Sequence, residues 1–389
     1  MTTKSKNDQI IDYVLDLILS EKYRAGDRLP SDGQLVRQFK TSRPTVAKAM
    51  RQLEDRGYID RRVGSGSFVL SAAKVKPSLI GMLAPEVGEA ELFEPLCSEI
   101  AKQCQKHGLS LLWPDSSLHA SVDIHHERLA QELCERYIAQ GVAGVFFAPV
   151  EFSERMVQIN REIAMRLNDA GISVVLLDRD LERTPSRSEY DWVGIDNFRA
   201  GSLQTQYLVG RGCKHIAYVS RIASAPTIDL RIAGFQHVVR QSGLKKSADN
   251  IICGDVRDPG ILKQLDIRKI DGVVCSNDTT ACFLLATLKS EGIQVPEDIY
   301  VIGIDDVKYS SDAIVPLTTV RQPFRAIGQA AVATMVGRIE NRSRLPREVF
   351  LEVQVIPRES CGELLSEDDQ KRIQRRNSKK NGTRTKRTK

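Results

Sequence analysis

Asp115, Asp178, Asp196, Asn277 and Asp305 share one setting: each closes an apolar, largely β-branched run, in LSLLWPD, SVVLLD, WVGID, GVVCSN and YVIGID. Carboxylates and amides at strand ends hydrogen-bond to neighbouring hydroxyls in pairs, a chemistry that holds a polyol rather than transforms it. Each could equally cap the helix that follows; their recurrence on five runs favours a polyhydroxy-binding cleft. A second set lies near the N-terminus. Ser42, Arg43, Thr45 and Lys48 surround Pro44, and proline suits the first turn of a helix. Hydroxyls and a guanidinium at a helix start suit a polyanion. Gly64 and Gly66 flank Ser65 at a turn between two short stretches, where bare backbone can approach a groove edge.

Reaction chemistry finds little footing in this chain. The six histidines, at 107, 119, 125, 126, 215 and 237, show neither H-E-x-x-H nor another metal-ligand spacing, and none of the eight cysteines forms C-x-x-C. There is no G-x-S-x-G nucleophile elbow. Gly-Ser-Gly is not followed by the Gly-Lys-Ser/Thr of a phosphate loop, so a nucleotide site is rejected. The expectation is no catalytic residue, no metal and no cofactor.

The elements that must position these residues are legible in the texture of the chain. Over residues 8–70 the apolar spacing predicts three short helices and a hairpin. Ile10, Ile11, Val14, Leu15, Ile18 and Leu19 give the first helix an apolar face. Ser31, with Gln34 three positions later, forms a capping box for the second. Ser42 caps the third, whose inner face is Val46, Met50 and Leu53, and Gly57 ends it. Helix-turn-helix at about 31–56 and a wing at 58–70 follow. Residues 71–77 read as a linker. From 78 to 360, nine strand-like apolar runs alternate with amphipathic helices, which predicts parallel sheets in two lobes. The fold class expected is thus α/β: an N-terminal winged helix-turn-helix plus two Rossmann-like lobes. Residues 364–389 lose apolar content and read as a disordered basic tail.

Charge supports a division of labour. The net charge is +6, with +4 over residues 1–70, +10 over 371–389 and −8 over 71–370. Basic ends around an acidic middle suggest a polyanion contacted at the ends; the tail either adds phosphate contacts or is merely solvated. No secretory signal or membrane-spanning run is present, so a cytoplasmic protein with reduced cysteines is expected.

GDRLPSD (26–32), SRPTV (42–46) and LEDRGYIDRRVGSGSFV (53–69) closely resemble the GntR-type winged helix. The resemblance implies DNA contacts from Arg28, Ser31, Ser42, Arg43, Thr45, Lys48, Gly64 and Gly66. Two departures, Gly33 and Ala47 where the family often has arginine, leave base preference open. VVLLDRD (174–180), VGIDNFRAG (193–201), GCKHIAYVS (212–220), LRIAGF (230–235), VVCSNDTTA (273–281), VPEDIYVIGIDD (295–306) and LTTVRQPFRAIG (317–328) together resemble the LacI/GalR-type effector domain, related to periplasmic sugar-binding proteins. That resemblance implies effector contacts from Phe93, Asp178, Arg231, Asn277, Asp305 and Phe324, with Arg179, Asp255 and Trp113 as weaker candidates. Ordinary core packing is the other reading of Phe93 and Phe324, and pairing with Asp229 that of Arg231. Lobe 1 is expected over about 78–187 and 322–344, lobe 2 over about 191–317 and 345–360, with crossovers near 188–192, 317–321 and 344–347.

The combination resembles the arabinose-repressor type of bacterial regulator. It implies a sequence-specific DNA-binding transcription regulator, a repressor, acting as a homodimer on an operator and modulated by a small sugar such as a pentose, with no membrane partner. A sugar-processing enzyme with a DNA-binding head, and a transport-related binding protein, are the other classes considered; the sheet blocks fit the sugar-binding type rather than an aminotransferase-like domain, and a transport protein would need export, which the missing secretory signal and the DNA-binding head argue against.

Overall fold

Leu35, Val46, Met50, Leu53 and Ile59 have no exposed surface, and around them close the helices and hairpin of the first unit. In this computed structural model the described residues are 5–19, 22–55, 58–62, 64–70, 78–84, 90–113, 125–150, 154–221 and 226–362. The chain divides after Leu79 into two units. The first contains α1 (Lys6–Leu19), α2 (Asp32–Phe39), α3 (Arg43–Asp55), β1 (Ile59–Arg62) and β2 (Gly66–Val69). Each fully buried aliphatic side chain contributes roughly 1.5–3 kcal/mol, enough here to hold three short helices that would be marginal alone. The strands pair antiparallel from Ile59 opposite Val69 to Arg62 opposite Gly66. Arg28 adds a bridge to Phe68.

The second unit carries two six-stranded sheets. The first is built from β3 (Ser78–Leu83), β4 (Leu109–Leu112), β5 (Gly144–Phe147), β6 (Ser173–Leu177) and β7 (Asp191–Ile195), with α4 (Ala90–Lys106), α5 (His125–Gln140) and α6 (Glu154–Asp169) between them. The chain then passes through α7 (Asn197–Gly210) into the second sheet. There β8 (Ile216–Ser220), α8 (Pro226–Gln241), β9 (Ile251–Cys253), α9 (Ile261–Gln264), β10 (Gly272–Cys275), α10 (Asp278–Ser290), β11 (Tyr300–Asp305), α11 (Lys308–Ser311) and β12 (Thr318–Arg321) follow in order. It returns through α12 (Phe324–Glu340) and β13 (Glu348–Leu351), and ends with β14 (Gln354–Ile356). Sheet orders are β13-β7-β6-β5-β3-β4 and β14-β12-β11-β10-β8-β9. Strands such as Val145–Phe147 and Val273–Cys275 are buried on both faces, which is why they read as unbroken apolar runs.

Two of the expected lobe boundaries are corrected. Residues 191–195 and 348–351, assigned by sequence to lobe 2, are strands of the first sheet. Val193 and Ile195 belong to its core, with Met82, Phe146 and Val175. Asp191 has no exposed side-chain surface and accepts from Arg338 and Arg344, both at 2.8 Å, which ties β7 to α12 and the segment after it. The chain therefore crosses between lobes at 195–197, 321–324 and 351–354, each a few residues beyond the expected place. A buried apolar group joins the crossings, since Ile195, Ala200, Ile304 and Val320 lie in one cluster.

The linker 71–77, Asp115, the side chain of Phe93 and the tail 364–389 lie outside the described residues. All eight cysteines are free thiols. No helix among the described residues is long and apolar enough to cross a membrane.

Candidate nucleic-acid interface and polar cluster

In the first unit the exposed face of α3 begins at a built helix start. Ser42 Oγ lies 2.8 Å from Thr45 Oγ1 and accepts from the Thr45 N–H at 3.4 Å. Arg43 and Lys48 are exposed, and among the described residues neither has an ion-pair partner. The nearby Arg61, by contrast, is held by Asp32 at 2.8 Å, and Arg62 by Asp60 at 2.8 Å. Ser31 closes its capping box: its backbone N–H donates to Gln34 Oε1 at 2.8 Å, and its hydroxyl accepts from the Gln34 N–H at 3.4 Å. At the wing, Gly64 and Gly66 have φ of 75° and 110°, values that most side chains resist. A Cβ on Gly66 would come within 2.8 Å of Arg28 Nε, so the guanidinium of Arg28 lies across the wing backbone. Arg62 stacks on Phe68 at 4.8 Å. Recognition-helix start and wing thus both present unpaired or stacked cations, the arrangement that suits a phosphate backbone. Arg28, Ser31 and Gly66 hold the module together at the same time as facing outward.

In the second unit the strand ends gather a polar cluster. Arg231, on α8, is buried. Its Nε donates to Asn197 Oδ1 at 2.8 Å and its Nη1 to the Ser276 carbonyl at 2.7 Å; it does not pair with Asp229. Asp305, at the end of β11, is buried and accepts from Gln322 Nε2 at 2.8 Å. Asp305 also feels the charges of Arg231, Asp278 and, from the other lobe, Asp178. Asp178 is held by Arg179 at 2.9 Å. Asn277 caps α10 by accepting from the Thr280 N–H at 2.8 Å. Phe324 is half-buried with one side packed on the lobe 1 core. Asp196 is exposed and only caps α7. Asp255 lies in an exposed pair with Arg257, whose hydrogen bonds hold its carboxyl down at about 2, and Trp113 is exposed; neither joins the cluster. Among the described residues no group of histidine, cysteine and carboxylate side chains could hold a metal ion.

Sequence reasoning missed Asn197, Ser276, Gln322 and above all Asp278. Asp278 is fully buried and accepts from the backbone N–H groups of Asp306 (2.9 Å) and Val307 (3.2 Å) and from the hydroxyls of Ser310 (2.5 Å) and Thr319 (2.6 Å). In sequence it is an acid in the first turn of a helix, indistinguishable from a routine dipole partner.

Burial pushes the carboxyls of Asp305 and Asp278 above the usual aspartate range. The folded domain therefore holds protons that the unfolded chain releases near pH 4. The burial cost of each charge is absent below that pH and grows as the pH rises through the raised folded value. Asp305→Asn carries no such charge, so its melting temperature should gain on that of the wild type between pH 5 and pH 8. A difference in melting temperature that stays flat with pH would exclude this.

Two family models match the chain. Residues 6–69 match bacterial regulatory proteins of the gntR family, and residues 205–361 match the periplasmic binding protein-like domain. An arabinose metabolism transcriptional repressor of Geobacillus stearothermophilus is 25% identical over 356 residues, 88% of this chain and 93% of that protein. A solved complex of the transcriptional regulator CelR with cellobiose superposes with a TM-score of 0.60 at 20% identity, covering 82% of this chain and 91% of that one. A LacI family transcriptional regulator of Enterococcus faecium with bound ribose superposes with a TM-score of 0.57 at 23% identity, covering 72% and 98%. With these matches falling within the two units already delineated by packing, the chain joins a domain matching the gntR family of bacterial regulatory proteins to one matching the periplasmic binding protein-like domain.

Proposed function

We propose that this protein is a transcriptional repressor that grips an operator as a homodimer and is switched by a small sugar bound between the lobes of its second unit. One observation carries the reading: a single chain holds both a capped, cation-bearing recognition helix and a buried Arg231–Asn197–Ser276–Asp305 cluster at the carboxyl ends of parallel strands. The first has the chemistry of phosphate and base contact. The second has that of hydroxyl recognition, a fixed guanidinium beside carboxylates and amides, with the half-buried ring of Phe324 offering an apolar face. Asp178, on lobe 1, lies within electrostatic range of Asp305, so a guest held by Asp178 and Asp305 together favours the closed lobes. Such a guest must bind the two lobe arrangements with different affinity, or operator affinity does not change. Two heads on a two-fold axis match a near-palindromic site. The name of the Geobacillus relative supports a pentose, and L-arabinose is the sugar to test first. The enzyme reading draws no support from relatives that carry repressor names.

The test is paired. Calorimetry follows a panel of pentoses and hexoses, and gel shift uses the duplex upstream of the protein's own gene. Arg231→Ala should lose sugar heat by at least a factor of ten in affinity while still retarding the duplex. Arg43→Ala should do the reverse. No retarded band for the wild type, or no heat with any sugar, would count decisively against the reading.

A further inference from the structure

Asp305 and Asp306 both have positive φ, 125° and 60°. Two consecutive non-glycine residues in that region store strain that the surroundings must hold. What holds them is informative. Asp278 binds the Asp306 N–H, and Gln322 binds the Asp305 carboxylate. The Asp306 carboxylate is shared between two arginines: Arg321 Nε at 2.5 Å through one oxygen and Arg358 Nη2 at 2.6 Å through the other. Arg321 is the last residue of β12, immediately before the chain leaves for lobe 1. Arg358 lies two residues beyond β14, on the stretch that has just come back from lobe 1 through β13. A side chain adjacent to Asp305 therefore grips both the residue at which the outgoing crossover starts and the segment just past β14, the strand into which the returning crossover runs, and it is 9% exposed.

We propose that Asp306 is a positioning residue that couples occupancy of the polar cluster to movement of the lobes, by pinning to the end of β11 the start of the second crossover and the segment past β14, into which the third crossover runs. The assignment rests on the sugar-regulator reading given above. Arg321 is half exposed and Arg358 largely buried, so Arg321 is the arm free to shift while Arg358 holds its place. A guest that moves Asp305 strains the neighbouring Asp306, and through it the crossovers, rather than only the strand end. The residue touches no guest itself.

Asn tolerates positive φ as well as Asp does, so Asp306→Asn keeps the backbone and removes the charge shared by the arginines. The readout is the ratio of L-arabinose dissociation constants with and without the upstream duplex, measured on the full chain. In the variant the sugar and duplex affinities taken separately should stay within threefold of wild type, while the ratio should fall at least fivefold towards one. A merely structural role would weaken both affinities and leave the ratio. Arg358→Gln removes the other side of the same pair and should lower the ratio too, which covers a folding failure of the first variant. A wild-type ratio in both variants overturns the assignment. If the wild type ignores L-arabinose, that defeats the choice of sugar. The pinning itself is then read from amide hydrogen exchange of the unliganded protein. Exchange at 318–322 and 354–358 should accelerate at least tenfold in Asp306→Asn, and unchanged exchange overturns it.

Discussion

Asp278→Ala should destabilise the second unit by about 4 kcal/mol, the largest stability effect expected of any single substitution described. Four donors converge on this carboxylate from three elements: the turn after β11, α11 and β12. Removing the acceptor leaves two backbone N–H groups and two hydroxyls buried without a partner, each costing roughly 1–3 kcal/mol. The hydroxyls can rotate towards other acceptors, and the variant regains the cost of burying a charge, so the sum is reduced from its upper limit. Gly303 belongs to the same arrangement, since a Cβ there would lie 2.2 Å from Asp278 Oδ1. Chemical denaturation followed by circular dichroism measures the loss. Asp278→Asn keeps one acceptor oxygen and should lose about half as much. A variant within 1 kcal/mol of the wild type would show that the four bonds contribute little.

Gly201→Ala should lower sugar affinity at least tenfold although Gly201 has no side chain to offer a guest. The helices α7 and α8 approach so closely that a Cβ on Gly201 would sit 2.1 Å from the carbonyl oxygen of Arg231 and 2.7 Å from its Cα. Neither atom belongs to a flexible side chain, so the helices must part by on the order of 1 Å to reach ordinary contact. That displacement moves the backbone carrying Arg231, whose two hydrogen bonds span α7 and the end of β10. Loss of one charge-assisted bond of this kind is worth roughly 1.5–3 kcal/mol, a factor of ten or more in affinity. Gly234 makes the same approach from the other helix, with its Cβ position 2.1 Å from the Phe198 carbonyl oxygen. Gly210, near the end of α7, has open space around its Cβ position. Gly210→Ala serves as the control and should leave affinity unchanged while stabilising the helix by a few tenths of a kcal/mol. Calorimetry decides between the two, and equal affinities for both variants would refute the argument.

Much of this architecture is visible in the chain before folding, and the reasons differ from element to element. The nine strands from β3 to β11 are legible because most of their side chains are buried, which forces apolar runs. β12, β13 and β14 are three or four residues long, and Glu348 and Gln354 stand exposed within the last two. Their pattern does not separate them from loop. The lobe boundaries shifted for a different reason. Which sheet receives Asp191–Ile195 depends on pairing with β6 and on the buried contact of Asp191 with Arg338 and Arg344, more than 140 positions away. No local period encodes that. The capping box at Ser31 and the helix start at Ser42 are local chemistry and were legible in full. In the cleft, Arg231 stands out through its context, whereas Asn197 hides behind Asp196, the more obvious carboxylate, which turns out to be an exposed cap.

The interleaving of the two sheets has a consequence for the order in which a ribosome delivers the chain. The helix-turn-helix module is complete once Val69 has emerged, and its core draws on nothing later than that. The sheet begun at Ser78 is different: β7 keeps a bare edge until Glu348–Leu351 arrives, after the whole of the other lobe has been synthesised. Throughout that interval an apolar strand edge is open to pairing with the wrong neighbour. A nascent chain stalled or cut between β7 and Leu351 thus carries a finished helix-turn-helix head on an unfinished and sticky body.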